Sequence, residues 1–258
     1  MALQLAQLAV VLALVFSIGS LTAGRRMAVH RHLLLPLLGL SGILAGIAGF
    51  RLLLDGGVQA TTLPVGLPWL PMQLSLDRLA AFFLLLVGVL VLPVALYARG
   101  YLREFEHGSD SPGTLGFFTG LFVAGMYLVV LAADAFGFMV AWELMSLSSY
   151  FLVAFQHEQA ANRRASFLYL LMAHLGALCI LLAFGVLAMQ GEGFSFAAMR
   201  LAHPGLLWSS VAFALALAGF GMKAGLFPFH AWLPEAHPVA PSHISALMSG
   251  VMLKVALY

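Results

Sequence analysis

The chain consists of long apolar runs separated by short polar segments. A helix that crosses the hydrocarbon core of a bilayer needs ~20 mostly apolar residues, and eight runs reach or approach that length. The pattern therefore predicts an all-α, polytopic membrane protein, a helix bundle with about eight transmembrane helices. The predicted spans are residues 2–23, 33–54, 79–97, 115–133, 135–155, 165–189, 206–233 and 241–258, of which the last is expected to be truncated.

The longest predicted segment outside the membrane covers residues 56–75. It contains Pro64, Pro68 and Pro71 together with the aromatic Trp69. This composition is typical of an interfacial loop or a small hairpin.

Asp134 alone separates the fourth predicted span from the fifth. So short a connection requires a tight antiparallel helix pair or a break near the turn. An aspartate at such a position is either the cap of the following helix or a solvated turn residue.

The amino-acid composition excludes several classes of protein. Hydrophobic residues make up 62% and charged residues 9% of the 258 positions, against about 45–50% and about 25% in soluble domains. The chain therefore has no room for a soluble catalytic domain. Its single cysteine, Cys179, excludes a disulfide framework, a structural zinc site and a four-thiolate iron–sulfur cluster on this chain. We expect no cofactor and no metal on this chain, and any redox centre must belong to a partner.

The few charges predict an orientation and exclude one kind of partner. Cytoplasmic loops carry an excess of lysine and arginine. The loops on one side hold Arg25, Arg26, Arg31, Arg99, Arg103, Arg163 and Arg164, and those on the other side hold Arg51, Arg78 and Arg200. This bias predicts an N-terminus outside the cell. The net charge of +2 is too small and too dispersed for a nucleic-acid surface, so the expected partner is the lipid bilayer.

Three charged residues stand out deep within apolar runs, where each costs roughly 2.5–3.5 kcal/mol on the insertion scale. They are Glu143, Lys223 and Lys254. Ser146 and Tyr150 follow Glu143 at helical spacing and extend a polar stripe along its face. Because each buried charge needs a partner, a water-filled cavity or a function, these residues are candidates for carrying protons.

Lys223 precedes a predicted break in the seventh span. Pro228 lacks an N–H, and its ring clashes with the carbonyl four residues earlier, so the helix is expected to break there. Freed carbonyls are tolerated only where protein or water satisfies them, which predicts a hydrated site. Gly221 and Gly225 flank the lysine and predict that a neighbouring backbone approaches it. A pair formed with the glutamate of the fifth span would titrate as a coupled unit.

Four histidines extend the predicted relay, because histidine ordinarily titrates near neutral pH. They are His174, His230, His237 and His243. Lys254 follows His243 at a spacing that places both on one helix face, about 16 Å apart.

Each of these groups also has a structural interpretation. Glu143 and Lys223 could form a salt bridge that locks helix packing, and Lys254 could extend to the membrane interface. His174 could be a hydrogen-bonded packing residue.

Three segments resemble one family of membrane proteins. Residues 223–243, KAGLFPFHAWLPEAHPVAPSH, resemble the seventh and eighth helices of the antiporter-like subunits shared by respiratory complex I, Mrp-type sodium/proton antiporters and membrane-bound hydrogenases. Residues 142–152, WELMSLSSYFL, are similar to the fifth-helix motif of the same family. Residues 238–254 are most similar to the branch of hydrogenase-4 and formate hydrogenlyase membrane subunits.

The resemblance implies a fold of about fourteen helices that contains two inverted five-helix repeats, each with one broken helix. Residues 1–113 would form the N-terminal helices 1–3 with loop 56–75, and residues 114–258 would form the first repeat, helices 4–8. Glu143 would be the fifth-helix glutamate, Lys223 the broken-helix lysine and Lys254 the eighth-helix lysine that passes protons onward. A first repeat alone would hold the uptake half of a channel without its exit.

We therefore expect a proton-translocating membrane subunit of a complex-I-like respiratory oxidoreductase, of hydrogenase-4/formate hydrogenlyase or NADH-quinone oxidoreductase type. It would lie in a bacterial or archaeal cytoplasmic (inner) membrane. Its partners would be other membrane subunits and a peripheral redox arm that carries iron–sulfur clusters and nickel–iron or flavin.

Two alternatives remain open at this point. One is a non-conducting anchor that docks a peripheral hydrogenase arm through residues 99–110, Arg163 and Arg164. The other is an Mrp-like sodium/proton antiporter subunit, although sodium prefers oxygen ligands and the chain offers few buried carboxylates besides Glu143.

Overall fold

The computed structural model describes residues 1–105, 110–191 and 193–258. Residues 106–109, part of the loop assigned to docking in the anchor hypothesis, lie outside the described residues. The long helices are α1 (Ala2–Ala23), α2 (Met27–Asp55), α3 (Arg78–Tyr101), α4 (Pro112–Leu131), α5 (Ala135–Val153), α6 (Ala160–Gln190) and α8 (Leu206–Ala224). The short helices are α7 (Phe196–Leu201), α9 (Leu233–Val239) and α10, which joins Ser242–Leu247, a π-helical turn over Met248–Met252 and Leu253–Val255.

Within the described residues, 7 helices are long and apolar enough to cross a membrane. They are α1 to α6 and α8. The eighth predicted span is present as α10, which is shorter than the ~20 residues that a full crossing needs. The predicted fold class, an all-α polytopic helix bundle with a broken helix near Pro228, is confirmed.

Residues 56–75 contain the predicted hairpin. Strands β1 (Gln59–Leu67) and β2 (Leu70–Leu76) pair antiparallel, with Gln59 opposite Leu76. Gly66 adopts a φ of 125° at the irregularity before the turn, a conformation that favours glycine. The hairpin lies at the membrane face where α2 ends and α3 begins.

Asp134 fastens this hairpin to the helix bundle. Its Oδ1 accepts a hydrogen bond of 2.7 Å from the backbone N–H of Gly137, and its Oδ2 accepts one of 2.7 Å from the N–H of Gln73 in β2. A β-bridge also pairs Asp134 with Ser195, in the loop that follows α6. Asp134 is fully buried, so it is a helix cap and not a solvated turn residue.

Small residues set the distance between α6 and α8. A Cβ built on Gly219 would lie 2.6 Å from the carbonyl oxygen of Gly176, so only glycine permits this crossing. The prediction that Gly221 and Gly225 admit a neighbouring backbone is wrong, because a Cβ on either residue would meet side chains of residues 226–233 and no other helix backbone. The Gly176–Gly219 crossing brings the middle of α6 beside the C-terminal end of α8.

Candidate functional site

The break in the seventh predicted span begins at Gly225. Helix α8 ends at Ala224, and Gly225 adopts the left-handed conformation with a φ of 71°. The turn that follows contains a cis peptide bond before Pro228, and α9 then begins at Leu233. The helix therefore stops three residues before the proline, at the residue best able to reverse the backbone.

Protein groups satisfy two of the carbonyls that the break frees. The backbone N–H of Leu226 donates to the carbonyl of Gly221 at 2.9 Å. The indole Nε1 of the buried Trp232 donates to the carbonyl of Met222 at 2.7 Å. These hydrogen bonds stabilise the break, because an unsatisfied carbonyl is costly within a membrane.

Lys223 lies beside this break, and its side chain is held by hydroxyl groups. The residue is 3% exposed. Its Nζ donates to Ser146 Oγ of α5 at 3.1 Å and to Tyr169 Oη of α6 at 2.6 Å, and it lies 4.8 Å from the centroid of the Tyr169 ring. Lys223 also occupies the last turn of α8, where the negative end of the helix dipole favours a cation.

Tyr169 extends the contact of Lys223 to a further hydroxyl. Its Oη lies 2.6 Å from Ser149 Oγ, and that hydroxyl is in turn 2.7 Å from the carbonyl oxygen of Met145. The residues form a continuous sequence of hydrogen bonds from the amine through Tyr169 to Ser149. All three are buried.

The sequence reasoning did not identify Tyr169 or Ser149. Ser149 lies six residues beyond Glu143 and therefore on a different side of α5. Tyr169 belongs to another span and carries no charge. The only sequence signal was a hydroxyl within an apolar run, which is too common to select these two residues.

The predicted pair of Glu143 and Lys223 does not form a direct ion pair. Within the described residues, Glu143 Oε2 lies 3.8 Å from His174 Nε2, and the two side chains are 34% and 46% exposed. Ser146 lies about 4.5 Å beyond Glu143 along the axis of α5. It is Ser146, and not Glu143, that contacts Lys223. Glu143 therefore shares the polar stripe of α5 with the serine that contacts Lys223.

His237 and His243 lie beyond the break, and each has one ring nitrogen that is buried and unpaired among the described residues. His237 Nδ1 lies 3.1 Å from Ser245 Oγ, while its Nε2 has no partner there. His243 Nδ1 likewise has none, and its ring packs 5.0 Å from that of Tyr101.

Lys254 and His243 do not lie on one helix face, which corrects that prediction. His243 is buried, whereas Lys254 is exposed and donates to the carbonyl of Ser249. The π-helical turn Met248–Met252 lies between them and changes the helical phase, because a π turn holds more residues than an α turn. The charge of Lys254 acts instead on His237.

His230 lies apart from the other candidates. It is exposed in the turn after the helix break, with its ring 5.6 Å from that of Phe227. The structure gives it no contact with Lys223 or with the other histidines.

A cavity of about 710 Å³ opens where α5 ends and α6 begins. Tyr150 and Ser166 form part of its wall, and Glu158 and Arg163 lie among the polar residues around it. Tyr150 follows Ser149 in the chain, and Ser166 precedes Tyr169 by one helical turn. The cavity wall and the hydroxyl groups that hold Lys223 therefore belong to the same two helices, α5 and α6. Among the described residues, no group of three His, Cys, Asp or Glu side chains could hold a metal ion.

These features define a class: a polytopic helical membrane protein with a buried lysine at the break of a transmembrane helix. Residues 132–258 match the family model described as NADH:quinone oxidoreductase/Mrp antiporter, TM. The chain belongs to this family of antiporter-like membrane subunits.

Individual relatives agree with the family match. The chain is 42% identical over 189 residues to hydrogenase-4 component B of Escherichia coli (strain K12). This match covers 72% of this chain and 27% of that protein. It is 32% identical over 197 residues to NADH-quinone oxidoreductase subunit N of Desulforudis audaxviator (strain MP104C), covering 74% of this chain and 38% of the relative. The chain thus spans well under half the length of these relatives.

A solved structure shares the fold. A chain of the membrane-bound sulfane sulfur reductase, an archaeal respiratory membrane complex, superposes with a TM-score of 0.80 at 25% identity. The match covers 97% of this chain and 39% of the other.

Proposed function

We propose that this chain is a proton-translocating membrane subunit of a respiratory oxidoreductase assembly, and that Lys223 is its central proton carrier. The observation that carries the proposal is a buried lysine held by two hydroxyls at the break of a transmembrane helix. An ionisable group is expensive at this depth and is therefore a functional candidate. Membership of a family named after NADH:quinone oxidoreductase and Mrp antiporter supports the same function.

The contacts of Lys223 suit a group that gains and loses a proton. A hydroxyl can accept a hydrogen bond from an ammonium and donate one to a neutral amine. A carboxylate in direct contact would favour the charged form alone. Because Ser146 and Tyr169 serve both protonation states, Lys223 can switch without exchanging its partners.

The other candidates have proposed places around this centre. Glu143 and His174 form one pair of titratable groups, and the polar stripe through Ser146 couples them to Lys223. His237 and Lys254 would carry the proton beyond the helix break. His243 would act through its unpaired nitrogen, and His230 has the weakest support because it is exposed and distant.

The setting of the chain is also proposed. Residues 1–113 would be the N-terminal helices and residues 114–258 the first antiporter-like repeat. The N-terminus would lie outside a bacterial or archaeal cytoplasmic membrane. Other membrane subunits and a peripheral redox arm with iron–sulfur clusters and nickel–iron or flavin would complete the assembly, consistent with the hydrogenase-4 and NADH-quinone oxidoreductase relatives.

Proton uptake by inverted membrane vesicles that contain the complete assembly tests this function. We expect Lys223→Ala to abolish uptake and Glu143→Gln to reduce it strongly, with assembly unchanged on a native gel. Arg51→Gln, which removes an exposed cation at the end of α2, is the matched control and should leave uptake intact. Intact uptake in Lys223→Ala would disprove the proposal, and intact uptake in Glu143→Gln as well would favour a non-conducting anchor.

Sodium/proton exchange is a second candidate, because the family description includes the Mrp antiporter. Transport that requires sodium at constant pH would favour it. Uptake that is unchanged when potassium replaces sodium would identify the proton as the coupling ion.

A further inference from the structure

The cavity at the ends of α5 and α6 has no role in the site as described so far, although its wall belongs to the two helices that supply the hydroxyl contacts of Lys223. It holds about 710 Å³, enough for many water molecules. Asp110, His157, Glu158 and Arg163 lie among the residues that line it. These polar and charged side chains make its mouth hydrophilic.

Two hydroxyl-bearing residues of the cavity wall are direct neighbours of the hydroxyls around Lys223. Ser166 precedes Tyr169 by three residues on α6, a rise of about 4.5 Å. Tyr150 follows Ser149 on α5. The cavity wall thus includes residues within one helical turn of Tyr169 on α6 and of Ser149 on α5.

We propose that protons reach Lys223 from this cavity through Ser149 and Tyr169, and that Tyr169 is the group that hands the proton to the amine. The proposal rests on the proton-translocating function of Lys223 and names the route that supplies it. Ser146, the other hydroxyl on the lysine, lies one helical turn from Glu143 on α5 and is not part of this route.

The transfer balances as a sequence of proton shifts. The Tyr169 O–H bond breaks as a new N–H bond forms on the neutral amine. The Tyr169 oxygen takes the proton of Ser149, and Ser149 takes one from a hydronium ion that reaches it from the cavity. The net result is an ammonium on Lys223 and one water in place of the hydronium. No electron moves and no heavy-atom bond changes.

Tyr169→Phe removes the hydroxyl while it keeps the ring that lies over Lys223 and packs 4.9 Å from Trp232. Ser149→Ala removes the second hydroxyl. Each has a matched control. Tyr127→Phe alters another fully buried tyrosine that is not bonded to Lys223, and Ser148→Ala alters an adjacent serine whose hydroxyl bonds only to backbone carbonyls of its own helix.

The experiment measures proton uptake by inverted vesicles that contain the complete assembly, together with the solvent deuterium isotope effect on uptake. We expect loss of most uptake in Tyr169→Phe and Ser149→Ala, a larger isotope effect on what remains, and normal uptake in both controls. Normal uptake in Tyr169→Phe while Lys223→Ala abolishes it would overturn this route and leave the proposed function standing. Normal uptake in Lys223→Ala would overturn both.

A second measurement keeps the route testable if Tyr169→Phe fails to assemble. Thr114 lines the same cavity from α4, so Thr114→Cys in a Cys179→Ala background places a single thiol there. Modification with benzyl methanethiosulfonate should narrow the cavity and lower proton uptake, and a reducing agent should restore it. Uptake that is unchanged after complete modification would contradict the route.

Discussion

At the scale of single residues, the few polar groups within the helix bundle have different surroundings. Lys223 is held by hydroxyls, which can pair with both its charged and its neutral form. Asp134 is equally buried but has both oxygens bonded to backbone N–H groups. It is therefore a fixed structural acceptor, and no proton-carrying role follows from its burial alone.

Asp134→Asn should destabilise the protein by about 1–3 kcal/mol, because an amide nitrogen would face a backbone N–H that now has an acceptor. Asp77 caps α3 through one oxygen that accepts from Ala80, and asparagine is as good a cap as aspartate. Asp77→Asn is thus the matched control and should change stability little. Thermal unfolding in detergent compares the two. Equal unfolding temperatures would show that the bond to β2 contributes nothing.

At the scale of elements, close crossings bring the polar residues together. Tyr169 reaches Lys223 because α6 and α8 meet at Gly176 and Gly219 without intervening side chains. The hairpin and the α4–α5 turn meet at Asp134 on the opposite side of the bundle from the cavity. The start of α5 is therefore bonded to the hairpin through Asp134, whereas its C-terminal end borders the cavity.

Gly219→Ala should separate α6 from α8 and lower both proton uptake and stability, the latter by about 1–3 kcal/mol. Gly185→Ala is the matched control on α6, since a Cβ there would meet nothing within 4 Å. That change should be neutral or stabilising by roughly 0.5–1 kcal/mol. Uptake and unfolding temperature measured on both variants check the prediction. Equal behaviour of the two would mean that the crossing does not position Lys223.

The sequence predicted the elements well and their contacts poorly, for physical reasons. Membrane spans are read from hydrophobicity, so α1 begins and ends where predicted, and the break at Gly225 follows from local backbone chemistry. Which residue faces Lys223 depends on the rotation and crossing of three helices. Hence Lys223 contacts Ser146 and Tyr169 and not the expected Glu143. The π turn in α10 likewise places Lys254 on a different helix face from His243.

At the scale of the whole molecule, the antiparallel order of the helices separates two chemically different faces. The face with the hairpin and the chain's beginning has few arginines. The opposite face holds the cavity and the larger arginine group, including Arg163 at the start of α6. The proposed orientation therefore places the cavity on the cytoplasmic side, where a pump would take up protons.

Single cysteines introduced in a Cys179→Ala background test this orientation. Trp69→Cys lies near the hairpin turn, where Trp69 is 77% exposed, and Glu158→Cys lies at the opposite face. A maleimide that cannot cross the cytoplasmic membrane is added to intact cells, whose outer membrane, where present, is first made permeable. It should label the cysteine at position 69 and not the cysteine at position 158. The reverse pattern would contradict an N-terminus outside and move the cavity to the other side.

The role of Lys223 as proton carrier is tested by the ratio of protons translocated to electrons transferred, measured in one vesicle preparation of the complete assembly. We expect Lys223→Ala to lower this ratio while electron transfer continues, and Arg51→Gln to leave it unchanged. A ratio that stays at the wild-type value in Lys223→Ala would show that this lysine does not carry the translocated proton.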